Sequence, residues 1–333
     1  MNGQDVIEDE FYAAVRTAAV IDRSHFGRVE VTGKDALDLL HRLSTNDLLA
    51  CKAGHTIGTV FTNDKGRVVD FVRVVVRDSK TLAITSPGRS AQFIEWVNKY
   101  CIMEDISLTD VTSSTAMITV IGPDSTSLVS QVFGVNPSPA TCVELNGPAG
   151  RMVILRDCSF CTDIIDIIAG IEGARTIMDL LAPRAKRMGE IAYEAFRITR
   201  GIPASGTELS NAFNPYEAGL RQAISFTKGC YLGQEVIARL ETYDKIQRKL
   251  VGLVFDEDPA TADARPTLCK NSREIGWRTS MSSHPIQGQY VGLGIVRKDE
   301  VEPGDSVVIN ANGTAIRGIV KQIPISLSPD HEA

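Results

Sequence analysis

No run of the ~18 apolar residues that a membrane-crossing helix needs occurs anywhere in the 333-residue chain. The opening stretch, MNGQDVIEDEFYAAVR, is acidic. It has neither the apolar centre of a secretory signal nor the arginine-rich, acid-poor character of a transit peptide. A bacterial cytoplasmic protein is therefore expected or, less readily, a mitochondrial matrix protein whose targeting segment has been removed; no membrane partner is expected. Positive charge is not in excess: 35 Lys and Arg against 41 Asp and Glu leave a net charge of −6, which argues against a general nucleic-acid binder. Cysteine is sparse and odd in number, 7 over the whole chain, which reads as reduced thiols rather than a disulfide framework. The 5 histidines form no H-x-H or H-x-x-x-H pair, so no metal site is expected. G-x-G-x-x-G, G-x-x-x-x-G-K-[ST] and G-x-S-x-G are all missing, and dinucleotide, P-loop and hydrolase readings lose their support. No close repeat or low-complexity tract is present.

What is there is a normal globular composition, 43% hydrophobic and 23% charged, over a length that suits two or three domains. The first ~50 residues read as helix, strand, helix, with FYAAVRTAAVIDRS and GKDALDLLHRLST at helical spacing around the short strand RVEVTG. Then β-branched runs separated by the turns NDKG and RDSK predict two or three strands. A helix is expected through AQFIEWVNKYCI, a strand in SSTAMITVIGP, and a helix in DSTSLVSQVFG with Asp124 as N-cap. NPSPATCVELNGPAG reads as a connector, GRMVILRD and DIIDIIAG as strands, and EGARTIMDLLAPRA as a helix. From Pro203 to Tyr231 a long ordered loop is expected, of the kind that often carries function. At about Lys249 the pattern changes to short strands and turns, suggesting a small antiparallel barrel or sandwich.

Four features could carry chemistry. TKGCYLGQEVIAR places Cys230 between Lys228 and a glycine-rich turn that leads into a helix near Gly233 to Glu235. A cation and a helix N-terminus both favour thiolate, although a half-buried turn cysteine is the commoner situation. Cys158 and Cys161 form one C-x-x-C, but there is no second pair or nearby histidine, so a structural role is expected. Asp70 interrupts a β-branched run and shares a face with Val68, Val72 and Val74. It is either neutralised by Arg67 or Arg73 or aimed at a ligand. Asp166 within DIIDIIAG poses the same question. Two in-strand acids suit a ligand rich in N–H donors, such as a pterin.

IDRSHFGRVEVTGKDALDLLHRLSTND (21–47) and TNDKGRVVDF resemble the N-terminal signature and hairpin of the aminomethyltransferase, or glycine cleavage T-protein, superfamily. YEAFRITRGIPASGTEL (193–209) and NPYEAGLRQAISFTKGCYLGQEVIAR (214–239) are similar to one branch of it, the YgfZ-type folate-binding proteins of iron–sulfur cluster maturation and repair. The resemblance implies an α+β, three-domain ring around tetrahydrofolate. Two interleaved α+β domains are expected, one from 1–50 with 112–248 and the other from 51–111, followed by a C-terminal antiparallel β-barrel-like domain at 249–325. It implies Asp70 as a catalytic, folate-positioning acid, with Phe71 at the place of a second acid. It also implies folate contacts at Phe26, Leu82, Ile84, Asp166, Tyr193, Arg197, Gln234 and Glu235. Tyr193 stands where the T protein carries a folate-contacting arginine. Cys230 would do redox or transfer chemistry, with Lys228 as the catalytic partner that favours its thiolate. The function so implied is support of iron–sulfur client or assembly proteins; the alternative is a folate-dependent aminomethyltransferase that moves a methylene group from a lipoyl carrier.

Overall fold

A computed structural model describes residues 3–78, 80–157, 159–160, 163–260, 263, 265–311 and 314–327. Helix α1 (Gly3–Arg16) buries Phe11 and Ala14 and is followed by strands β1 (Ala19–Asp22) and β2 (Phe26–Thr32) and helix α2 (Ala36–Leu43). Strands β3 (Thr56–Thr62), β4 (Val68–Val76) and β5 (Thr81–Pro87) form a meander that leads into α3 (Ser90–Tyr100). Then come β6 (Ser107–Asp110), β7 (Thr115–Ile121), α4 (Ser125–Phe133), β8 (Cys142–Gly147), β9 (Gly150–Asp157) and β10 (Ile164–Gly170). Helix α5 (Ala174–Leu181), the short β11 (Lys186–Arg187), α6 (Glu190–Arg200) and α7 (Gln234–Thr242) complete the α+β part. Six strands follow: β12 (Arg248–Phe255), β13 (Thr267–Lys270), β14 (Arg273–Met281), β15 (Tyr290–Arg297), β16 (Ser306–Ala311) and β17 (Thr314–Lys321).

These strands make three sheets. One has the order β11-β1-β7-β10-β9-β8, one has β3-β4-β5-β2-β6, and the last six strands close an antiparallel barrel in the order β12-β15-β14-β13-β16-β17. The fold is thus α+β with a closed C-terminal barrel, as the pattern change near Lys249 suggested. The chain passes from the first sheet to the second between β1 and β2, ahead of residue 50, and returns between β6 and β7.

Burial explains the layers. The central strands β7 and β10 are buried on both faces, so they read as continuous apolar runs rather than alternating ones. One face of their sheet packs under α4 and α5 through Leu128, Val129, Ile177 and Leu181. In the second sheet, α2 and α3 cover one face with Leu39, Leu40, Phe93 and Val97. The two uncovered faces meet each other: Val75, Leu82 and Ile84 of one pack on Met117, Val153, Leu155 and Ile168 of the other. Helix α6 joins this pair of sheets to the barrel, with Phe196 and Tyr193 in a cluster that includes Val254, Val291 and Leu293.

Several elements differ from the sequence expectation. AVID (19–22) is strand β1 rather than the end of a helix: its four positions pair with β7, and Ala19, Val20 and Ile21 are buried. The supposed connector NPSPATCVELNGPAG contains β8, an edge strand hairpinned to β9. Asp124 precedes α4 but makes no side-chain cap bond. Cys158 and Cys161 lie outside the described residues.

Candidate functional site

Where the two facing sheets diverge toward α6 and the barrel, a cavity of about 300 Å³ opens. Strand β4 presents Phe71 and Arg73 to it, two residues apart and so on the same face. Strand β5 adds Ile84 and Ser86, the β1–β2 segment adds Arg23, His25 and Phe26, and α6 adds Tyr193, Glu194 and Arg197. Asp157 and Phe160, at and just beyond the end of β9, close the far wall. Phe71 and Phe160 meet edge to face with centroids 5.4 Å apart.

Four of the sequence-predicted residues, Phe26, Ile84, Tyr193 and Arg197, line this cavity. Leu82 is in the core between the sheets. Asp70 points away from the cavity, on the opposite face of β4 from Phe71 and Arg73, and is 3% exposed. Neither Arg67 nor Arg73 neutralises it. Its carboxylate accepts from Ser86 Oγ at 2.5 Å, from Ser86 N at 3.1 Å and from Phe71 N at 3.0 Å. Ser86 is itself part of the cavity wall. Burial raises the Asp70 pKa, outweighing the lowering effect of these hydrogen bonds.

Asp166 is fully buried and also off the cavity wall. Its carboxylate binds the Arg73 guanidinium and accepts from Thr119 Oγ1 at 2.5 Å. Arg73 also reaches Asp157 at 3.4 Å. Burial disfavours the Arg73 charge, but the two carboxylates outweigh that and raise its pKa. Asp166 therefore acts on the cavity through Arg73, which clamps β4 of one sheet to β9 and β10 of the other. Arg197 is 5% exposed. Its Nε donates to Glu194 at 2.6 Å and its guanidinium donates to Ser280 Oγ of β14 at 2.9 Å, tying α6 to the barrel.

The structure does not bring Lys228, Cys230, Gln234 or Glu235 to the cavity wall. They sit at the C-terminal end of α2 and the tip of the β3–β4 hairpin. Lys228 Nζ donates to the carbonyls of His41 at 2.5 Å, Ser44 at 2.8 Å and Asn46 at 2.8 Å. It lies 5.0 Å over the Tyr231 ring, and burial pushes its pKa down to about 8. Lys228 thus anchors the loop with its ammonium group buried among carbonyls. Thr62 Oγ1 donates to the Leu232 carbonyl at 2.7 Å. Gly233, at φ +82, lies so close to the hairpin that an added Cβ would meet the Asn63 carbonyl at 2.5 Å and Gly66 Cα at 3.0 Å. Cys230 is exposed on the loop so fixed. Gln234 opens α7, and Glu235 pairs with Arg239 at 3.5 Å on its surface.

Sequence reasoning missed Arg23, Arg73 and Phe160 as cavity residues. Arg73 was legible as a neighbour of Asp70 but on the other face of β4. No local signal marks Arg23 or Phe160, which reach the cavity from irregular segments.

Residues 2–228 match the GCVT N-terminal domain, and residues 248–325 match the glycine cleavage T-protein C-terminal barrel domain. A chloroplastic protein of Arabidopsis thaliana named "putative transferase" is 33% identical over 323 residues, covering 92% of this chain and 70% of that one. An aminomethyltransferase of Halalkalibacterium halodurans is 27% identical over 315 residues, covering 90% of this chain and 85% of its own. The crystal structure of glycine cleavage system aminomethyltransferase T from Bartonella henselae superposes with a TM-score of 0.81 at 20% identity, covering 96% of this chain and 89% of that one. At that identity the match shows the fold.

Proposed function

The chain belongs to the glycine cleavage T-protein family, and from that premise we propose that it is a tetrahydrofolate-dependent transferase of the aminomethyltransferase type, with the folate held in the cavity between the two sheets and α6. The observation that carries this reading is the make-up of the cavity. Phe71, Phe160 and Ile84 supply apolar and aromatic surface for a flat ring, and Asp157 supplies carboxylate oxygens for ring N–H donors. About 300 Å³ is at the small end for a ligand pocket and suits a pterin-sized ring with the rest of the molecule leading outward.

Two residue roles follow from the geometry. Asp70 acts through Ser86: the buried carboxyl orients the Ser86 hydroxyl and takes or returns a proton through it. Arg73, held by Asp157 and Asp166, fixes the acceptor edge of the cavity and keeps the two sheets at the spacing a ring requires.

One observation favours a second reading, support of iron–sulfur cluster assembly or repair by a YgfZ-type protein. The KGCYLGQE loop is fastened at Lys228, Leu232 and Gly233, yet it leaves the Cys230 thiol exposed. A surface thiol on a rigid mount suits chemistry on a partner protein rather than on a ligand in the cavity.

The experiment that separates the two readings measures methylene-tetrahydrofolate formed from an aminomethyl-lipoyl carrier protein, with wild type, Asp70→Asn and Cys230→Ala. Transfer by wild type and by Cys230→Ala, with at least about a tenfold loss in Asp70→Asn, is expected. No transfer by wild type, with wild type but not Cys230→Ala restoring an iron–sulfur enzyme in cells lacking their own maturation protein, would replace the first reading by the second.

A further inference from the structure

Arg23 is the one cavity arginine whose hydrogen-bonding capacity is unspent among the described residues. Its side chain belongs to the segment between β1 and β2, is 6% exposed, and lines the cavity. The guanidinium carbon lies 3.8 Å from the Phe26 ring centroid and 4.7 Å from that of Tyr193. These ring contacts orient the guanidinium but take none of its N–H donors. Its Nε is buried with no hydrogen-bond partner.

The neighbouring charges are committed elsewhere. Arg73 is held by Asp157 and Asp166, and Arg197 by Glu194 and Ser280. Glu190, on the same wall, approaches His25 at 3.9 Å. No carboxylate of the described residues lies within ion-pair distance of Arg23. A buried cation without an acceptor is costly, and the cost is recovered when a ligand supplies one. The guanidinium fork matches a planar carboxylate in particular.

We propose that Arg23 is the cavity's carboxylate anchor and that it selects folates by their glutamyl tail. This rests on the folate reading above. A pterin ring carries no carboxylate, so only the tail can reach Arg23 with one. The ring then lies toward Phe71, Phe160 and Asp157, and the tail passes Phe26 and Tyr193.

The test is calorimetric titration of tetrahydrofolate and of 6-methyltetrahydropterin, which lacks the tail, into wild type and Arg23→Gln. Wild type binds tetrahydrofolate more tightly than the pterin. Arg23→Gln weakens tetrahydrofolate by about tenfold to a hundredfold and leaves the pterin within about twofold. Should Arg23→Gln not fold, Arg23→Lys keeps the charge without the fork and shows the same selective loss at smaller size. Equal weakening of both ligands would reduce Arg23 to a structural role, and unchanged tetrahydrofolate affinity would remove it from the tail site. Binding of neither ligand by wild type would overturn the folate reading itself and this proposal with it.

Discussion

Lys228 shows how a side chain's neighbours in sequence mislead about its neighbours in space. Standing two residues before Cys230, it reads as a thiolate-stabilising cation. Folded, it closes the carbonyl end of α2, and its charge is shared among three backbone oxygens. That burial has a pH consequence. With the amine at about 8 in the fold and 10.5 as its ordinary value, the unfolded chain holds a proton between those limits that the folded chain has shed. The stability this group contributes therefore rises from about pH 8 to about 10.5 and is lost again as pH falls through 8. In urea unfolding, the margin of wild type over Lys228→Met should widen across that window, and a margin constant with pH would contradict the assignment. Asp70 carries a related lesson. A period of two assigned it correctly to the face of Val72 and Val74, but not to that of Val68, because a bulge between β3 and β4 turns Val68 to the side of Phe71 and Phe160. Nothing in the sequence says that the other face, that of Phe71 and Arg73, is the one turned to the cavity.

At the scale of elements, α7 and its approach are the most constrained. The loop can cross the β3–β4 hairpin closely only because position 233 lacks a side chain and adopts a left-handed backbone. Gly233→Ala forces both a strained φ and a collision with the Asn63 carbonyl, so a loss of about 1–3 kcal/mol is expected. Chemical denaturation of the variant measures it, and stability equal to wild type would show that the contact is relaxed at no cost. Elements with strong periodicity were readable: α2, β3 to β5, β7, α7 and most of the barrel. Those missed are short strands, such as β1 and β13, or edge strands, such as β6 and β8. β6 and β8 are short or polar on their outer face, and β13 has four residues, so each looks like a turn until a neighbouring strand pairs with it. The site suffers more than the fold, because its walls come from such places: the β1–β2 segment and the stretch after β9.

For the whole molecule, the cavity belongs to no single element. It exists because two sheets pack face to face, diverge around the Arg73 clamp, and are capped by a helix that Arg197 ties to the barrel. Composition and periodicity could indicate two α+β units and a barrel, but not that their contact leaves a space. The resemblance to the T-protein family supplied that expectation, and the residues that line the space are partly its motif positions and partly this chain's own. The central claim is that a reduced folate occupies this space with its ring against Phe71. Calorimetric titration of tetrahydrofolate into wild type and Phe71→Ala tests it most directly. One site per chain in the wild type, weakened about tenfold or more in the variant, is the result this account predicts. No saturable binding, or equal affinity in the two proteins, would contradict it.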